Sequence, residues 1–516
     1  MKHLAKSPYR EGGSTRNSPR PAHAISLNWR LFIVFLTIIG IKAVFLAADR
    51  RPAYFLGDSE SYLATATIQW ISPARSFLYG LFIRRVSFHS HSLESLVFMQ
   101  ALLSGVAAWL LCFALVEIFH LRFRVAALFG ILCAVEPLQL LMERYVMTET
   151  CANCLFAVHF VLALLYIRKG RLWSLLLSQV MGVLLIAMRI SFLPVVLMDS
   201  VLSPLLGPQL RSALTSLMSP QKPRWQVWVE ARRRIMRRFG QLLLPLALSL
   251  LVSQGLMTAY KHWYGRLEHR EPALLYENGA FLISDFAPLI EEEDFPRGVP
   301  GDKILSYLTI DRHDPANRPG QHFAEGGLVR AMELTFPDPK RQNDVETATA
   351  LHALFRQPVA AGRLAYTTFL SYFDRRNLSD ALLIDEGSGQ ELMTTARKWI
   401  EDVYNIPEPR AFEPSVTKTW HLISIPWYWF ILGVLCLSPL LLACSERHDR
   451  TVIVLCVLAA LVFLEGATLT VDRVTPRFLT TDAWLVLLIS GVTFDRLPRR
   501  VSILIRTHFG KTRQMT

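Results

Sequence analysis

No cysteine falls between Cys154 and Cys436, so no disulfide framework supports the longest polar part of this 516-residue chain. The seven cysteines (Cys112, Cys133, Cys151, Cys154, Cys436, Cys444 and Cys456) all lie in or beside apolar runs. Cys151-x-x-Cys154 has no second pair and reads as two small buried residues one helical turn apart, rather than as a redox or zinc motif. Also missing are a glycine-rich phosphate loop, a zinc-spaced histidine set and an internal repeat, which excludes the P-loop, zinc-module and solenoid classes. Charged residues are scarce, at 19% against 52% hydrophobic, and the mean hydropathy is +0.30. That balance excludes an ordinary soluble protein of several domains.

What is present is a series of long apolar runs. Ten are expected to cross a membrane: 31–48, 93–119, 125–142, 146–167, 172–188, 192–206, 239–260, 420–444, 452–470 and 478–494. The run 192–206 is short and contains Pro194, Asp199 and Pro204. No cleavage pattern follows 31–48, which reads as a signal anchor, and residues 1–30 read as a disordered cytoplasmic tail.

Lys and Arg set the orientation. They collect in the N-terminal tail, at Arg122 and Arg124, around Arg168 to Arg171, in the amphipathic stretch 228–239, at Arg447 and Arg450, and in a basic tail over 495–516. With ten crossings this places both termini in the cytoplasm and the protein in the cytoplasmic membrane. The net charge of +13 conceals a division, because residues 261–420 hold 25 acidic and 18 basic residues while the rest holds 17 and 37. Topology therefore explains the basic excess, and no nucleic-acid partner is expected.

Two outer connections are long. In 49–92, the stretches 59–70 and 77–88 have helical spacing but are too short to span, and read as helices lying at the membrane surface. The segment 261–419 reads as a mostly helical outer domain, with helices over 343–357, 359–373 and 390–404. The fold class is thus an all-α polytopic membrane protein: a membrane module over 31–260, the outer domain, and closing spans over 420–494.

Ionisable groups at the edge of a spanning helix are costly and point to a cavity or a partner. On the outer side these are Lys42, Asp58, Glu60, Arg75, Glu136, Glu143, Arg144, Glu149, Arg189, Asp472, Arg473 and Arg477. Some have a plainer reading: Asp58 as the cap of the helix that follows it, Arg189 as a residue reaching for headgroups, Asp472 and Arg473 as a surface pair. Together they suit displacement of a phosphate, in which fixed guanidinium charge stabilises an anionic leaving group and a carboxylate accepts the proton of an incoming hydroxyl.

Several segments resemble the GT-C glycosyltransferases, integral membrane enzymes that use polyprenyl-phosphate sugars. "GDSESYLATA" (57–66) is similar to their acidic motif, "SPARSFLYGLFI" (72–83) to the arginine-containing segment after it, and "MTETCANCLFAVHF" (147–160) to the glutamate-led fourth helix. "AMRISFLPVVL" (187–197) and "DRVTPRFLTTDAWLVLL" (472–488) resemble the mid-chain and final arginine motifs. The likeness covers the membrane part and is greatest to the protein mannosyltransferase and aminoarabinose transferase branch. It implies an inverting transferase with Asp58 as base and Glu60 assisting it or binding a metal. Arg75, Arg189, Arg473 and Arg477 would hold the donor phosphate, with Glu149 near the sugar. No essential cofactor is implied, a divalent metal remaining an option. The partners would be the lipid-linked donor, membrane lipids and a glycolipid, glycan or protein acceptor. Two other readings stand beside it: a secondary transporter or lipid flippase, and an assembly subunit, for which the charged residues would be scattered.

Overall fold

The computed structural model describes residues 22–55, 57–207, 225–385, 394–404, 415–437, 440, 447–469 and 475–512. Among these the chain is helical, with no strand and a single isolated bridge between Ala53 and Tyr145. The membrane part opens with α1 (Ala22–Ala48), α2 (Asp58–Ile68), α3 (Phe77–Ile83), α4 (Leu93–Glu117) and α5 (Phe123–Ala134). It continues with α6 (Pro137–Met142), α7 (Glu149–Lys169), α8 (Leu172–Met188), α9 (Leu193–Leu206) and α10 (Trp225–Glu268). The segment read above as the outer domain, and called so below, contributes α11 (Asn278–Asp285), α12 (Gly301–Ser306), α13 (Arg318–Phe323), α14 (Leu328–Thr335), α15 (Pro339–Arg356), α16 (Pro358–Leu370), α17 (Arg375–Asp385) and α18 (Thr394–Tyr404). The chain returns through α19 (Val416–Ile423), α20 (Pro426–Cys436), α21 (Arg447–Leu469) and α22 (Leu479–Thr512).

The expectation of ten crossings is corrected. Among the described residues five helices are long and apolar enough to span, Leu27–Ala48, Leu93–Glu117, Glu149–Lys169, Leu243–Glu268 and Pro476–Arg496. A sixth exists if α19 and α20, bent by 50° at their junction, count as one. The run 125–142 fails because Pro137 starts a new helix whose first amides are capped by Glu136, so it divides into pieces of 12 and 6 residues. α8 and α9, of 17 and 14 residues, would rise only roughly 21–26 Å, short of a hydrocarbon core of about 30 Å. Helix extends into both terminal stretches. α1 begins at Ala22, inside the stretch read as disordered, and α22 runs to Thr512 through the stretch read as a tail. Residues 1–21 lie outside the described residues.

The short outer helices agree with the sequence periodicity. α2 and α3 match 59–70 and 77–88, the latter finishing as a π turn over Arg84–Phe88. α15, α16 and α18 lie over the three expected outer helices. A large apolar core joins α4, α7, α8, α22 and their neighbours, and a separate one, around Ile283, Leu328, Met332 and Ala350, fills the outer domain.

Two seams hold α2 in place. Ala53 N–H donates to the Arg144 carbonyl at 2.8 Å and Val146 N–H to the Ala53 carbonyl at 2.9 Å, stitching the first outer loop to the segment that leads into α7. On the other side α2 meets α3 at Gly80, where a Cβ would lie 2.4 Å from the Thr65 Cβ. Gly80→Val should therefore lower the thermal midpoint of the detergent-solubilised protein, by about 1–3 kcal/mol of overpacking. Gly40→Ala, with nothing within 4 Å of the new methyl, should be neutral or stabilising. Equal midpoints for the two variants would contradict this packing.

Candidate functional site: an arginine and carboxylate network beside a chamber

Asp58 is the first residue of α2 and follows Gly57, whose φ of 78° lies in the left-handed region that glycine tolerates. The Ser59 hydroxyl accepts from Phe55 N–H at 2.8 Å and donates to the Val146 carbonyl at 2.9 Å, fixing the start of the helix. Asp58 makes no cap: its oxygens are taken by two arginines instead. Arg75, from the turn between α2 and α3, donates from Nε to Oδ1 at 2.7 Å, with Nη2 2.6 Å from the same oxygen. Arg477, in the tight turn Pro476–Phe478 that starts the last helix, donates from Nη1 to Oδ2 at 2.8 Å.

The same arginine extends the network. Its Nε lies 3.6 Å from Oε1 of Glu149, the first residue of α7, and that oxygen lies 2.9 Å from Nη1 of Arg189, at the end of α8. The series Arg75, Asp58, Arg477, Glu149, Arg189 thus alternates in sign. Aromatic faces complete the guanidinium environments, with Arg477 5.2 Å from the Phe55 ring centre, Arg189 4.7 Å from that of Phe478 and Arg75 5.1 Å from that of Phe281. Burial opposes ionisation of Asp58, yet Arg75 and Arg477 overcome it and hold the carboxyl well below the usual carboxylate range. Both carboxylates stand at helix N-termini, where partial positive charge favours an anion.

Of the residues singled out in the sequence, Asp58, Arg75, Glu149, Arg189 and Arg477 come together, although they arise from four separate connections. The scatter expected of an assembly subunit does not hold for Asp58 and Arg189. Glu60 is buried but lies on a different wall, facing the chamber described below. Asp472 and Arg473 lie outside the described residues. The remaining candidates are occupied in structural roles. Lys42 pairs with Glu143 at 2.5 Å, Arg144 with Asp49 at 2.7 Å, and Glu136 caps α6. Cys151 and Cys154 are buried and unbridged in α7. Among the described residues no three His, Cys, Asp or Glu side chains are grouped so as to hold a metal ion.

Beside the network opens a chamber of about 1080 Å³ between one face of α2 and the outer domain. The wall formed by α2 and the turn after it carries Glu60, Ser61 and Arg75, and the facing wall, from the outer domain, Glu277, Phe281 and Glu346. Tyr276 N–H donates to the Pro73 carbonyl at 2.9 Å, joining the two walls, and the Tyr264 hydroxyl of α10 donates to the Ser72 carbonyl at 2.7 Å. Gly279 allows the close approach of α11 to α15, since a Cβ there would be 2.5 Å from the Asn343 carbonyl oxygen. Sequence reading missed this outer wall. A signal was available in α15, where Glu346 shares a buried stripe with Thr349, Ala350 and Ala353.

No protein-family model matches the chain, nor does any curated protein or solved structure.

Burial pushes the Glu346 carboxyl up to about 8, against a hydrogen bond from Gln342 that favours ionisation and with Glu333 and Glu277 adding to the rise. Because this value lies above the unfolded one of about 4.3, its contribution to stability is complete below that pH and is lost as pH rises toward 8. Glu346→Gln removes the loss. The thermal midpoint of the variant should therefore gain on wild type between pH 5 and pH 8.5, as followed by circular dichroism; a gap independent of pH would contradict the burial of an ionisable Glu346.

Proposed function

We propose that this chain is a membrane glycosyltransferase of the GT-C kind, moving a sugar from a polyprenyl-phosphate donor to an acceptor on the outer face of the cytoplasmic membrane. The observation that carries the reading is the convergence of Arg75, Arg189 and Arg477, from three separate connections, on only two carboxylates at helix N-termini. Three fixed cations against two anions leave a net positive site, and a phosphate entering it meets forked donors as well as charge. Asp58 and Glu149 hold that place in the resting protein.

In this reading the donor phosphate draws guanidinium hydrogen bonds away from the carboxylates. Asp58, relieved of one or both arginines, regains basicity and a free lone pair. It then takes the proton of the acceptor hydroxyl while the acceptor oxygen forms its bond to the anomeric carbon. The bond from that carbon to the phosphate oxygen breaks, and the polyprenyl phosphate leaves with its added negative charge matched by the arginines. The guanidiniums perform the charge stabilisation that a divalent metal supplies elsewhere. Glu60, two residues along α2, faces the side from which the acceptor arrives.

A second reading, a transporter or flippase, draws on one other observation. His159 of α7 and Asp199 of α9 are buried together, 3.4 Å apart, with Ser203 donating to Asp199. Ionisable pairs buried among apolar helices often serve relays. Accumulation of a lipid-linked sugar in sealed vesicles without any glycosidic product would favour that reading.

With a labelled polyprenyl-phosphate sugar and an accepted membrane extract, Asp58→Asn should reduce transfer by about 10²–10⁴-fold while donor binding persists. Glu60→Gln should reduce it less. Equal transfer by wild type and Asp58→Asn would remove Asp58 from the mechanism.

A further inference from the structure

The chamber divides charge in a way that the phosphate site does not. Glu60, Glu277 and Glu333 line it, together with Glu346, whose buried carboxyl is neutral below about pH 8, and the single arginine in its wall, Arg75, already gives its Nε and Nη2 to Asp58. Its histidine, His322, is stacked on Phe281 with ring centres 4.5 Å apart. An anionic group in this space meets like charge on both walls, a cost that works as discrimination against acidic ligands. The remaining surface offers flat apolar faces, those of the exposed Trp70 and Phe323, beside the amides of Gln342 and Asn343. Carboxylates and amides that accept from hydroxyls, set beside aromatic faces, suit the rings of a carbohydrate. The volume of about 1080 Å³ lies just above the range for small-ligand sites, roughly 300–1,000 Å³, and has room for more than one ring.

We infer that the chamber is a carbohydrate site selective for neutral or amine-bearing sugar chains and closed to acidic ones. As the acceptor side of the transfer described above, the assignment rests on that reading for its role, but its ligand class rests on the chamber wall alone. Charge is thereby sorted across Arg75: the lipid phosphate on the network side, a non-acidic glycan on the other.

The test uses the full chain in lipid nanodiscs and three soluble probes, the tetramers of glucosamine, N-acetylglucosamine and galacturonic acid, with binding read by calorimetry at low salt. The glucosamine and N-acetylglucosamine tetramers should bind at least 10-fold more tightly than the galacturonate. Glu277→Gln with Glu333→Gln should narrow that ratio, and Trp70→Ala should weaken the first two, with circular dichroism confirming that each variant is folded. Equal or tighter binding of galacturonate overturns the inference, as does binding of none of the three, or capture of a lysine-rich peptide in their place. Selective glycan binding without transfer from a polyprenyl-phosphate sugar would remove the transferase reading and leave the chamber assigned. Transfer with a preference for acidic acceptors would do the reverse.

Discussion

A buried carboxylate clasped by two guanidiniums, one 17 and the other 419 residues distant along the chain, is the interaction on which the arrangement of this protein depends. Charges taken out of water must be paired, and removing one partner from such a pair typically costs about 3–5 kcal/mol. Arg477 cannot be placed where it is without Asp58 and Glu149, and neither acid can be buried without an arginine. The network therefore ties the first outer loop, the start of α7, the end of α8 and the turn before the last helix into one unit. The position of α2 follows, and with it one wall of the chamber.

The same clasp makes the site chemically quiet at rest. Asp58 is held ionised with both oxygens engaged, a poor proton acceptor while the arginines attend to it. An anion that competes for those arginines changes two things together: it acquires their charge and it releases the carboxylate. Coupling of this kind would link anion occupancy to the basicity of Asp58 without any moving domain. The chamber adds the opposite polarity, with Glu60 on α2 and Glu333 on α14.

Local patterns were legible in the sequence and distant pairings were not. Helical spacing located α2, α3, α15, α16 and α18, because that spacing reports which side of a helix is apolar wherever the helix packs. Hydropathy found the apolar runs but not the break at Glu136 and Pro137, since a run of apolar residues contains no record of where its backbone stops. Capping chemistry at Gly57-Asp58-Ser59 suggested a local partner for Asp58; the arginines prevail because two charge-assisted hydrogen bonds outweigh one cap. The short list of outer ionisable residues mixed two populations, and only the fold separates Lys42 with Glu143, which brace helices, from Asp58, Glu149 and the three arginines. The outer chamber wall carried no motif, and its one clue was a glutamate in the buried stripe of α15.

The central claim, that the arginines keep a place for a lipid phosphate, is tested most directly by an electron cryomicroscopy structure of the full chain in nanodiscs with a short-chain polyprenyl phosphate. The account predicts phosphate density within about 3 Å of the guanidinium nitrogens of Arg189 and Arg477, with at least one arginine contact to Asp58 broken. Phosphate bound elsewhere, with both contacts to Asp58 intact, would contradict it.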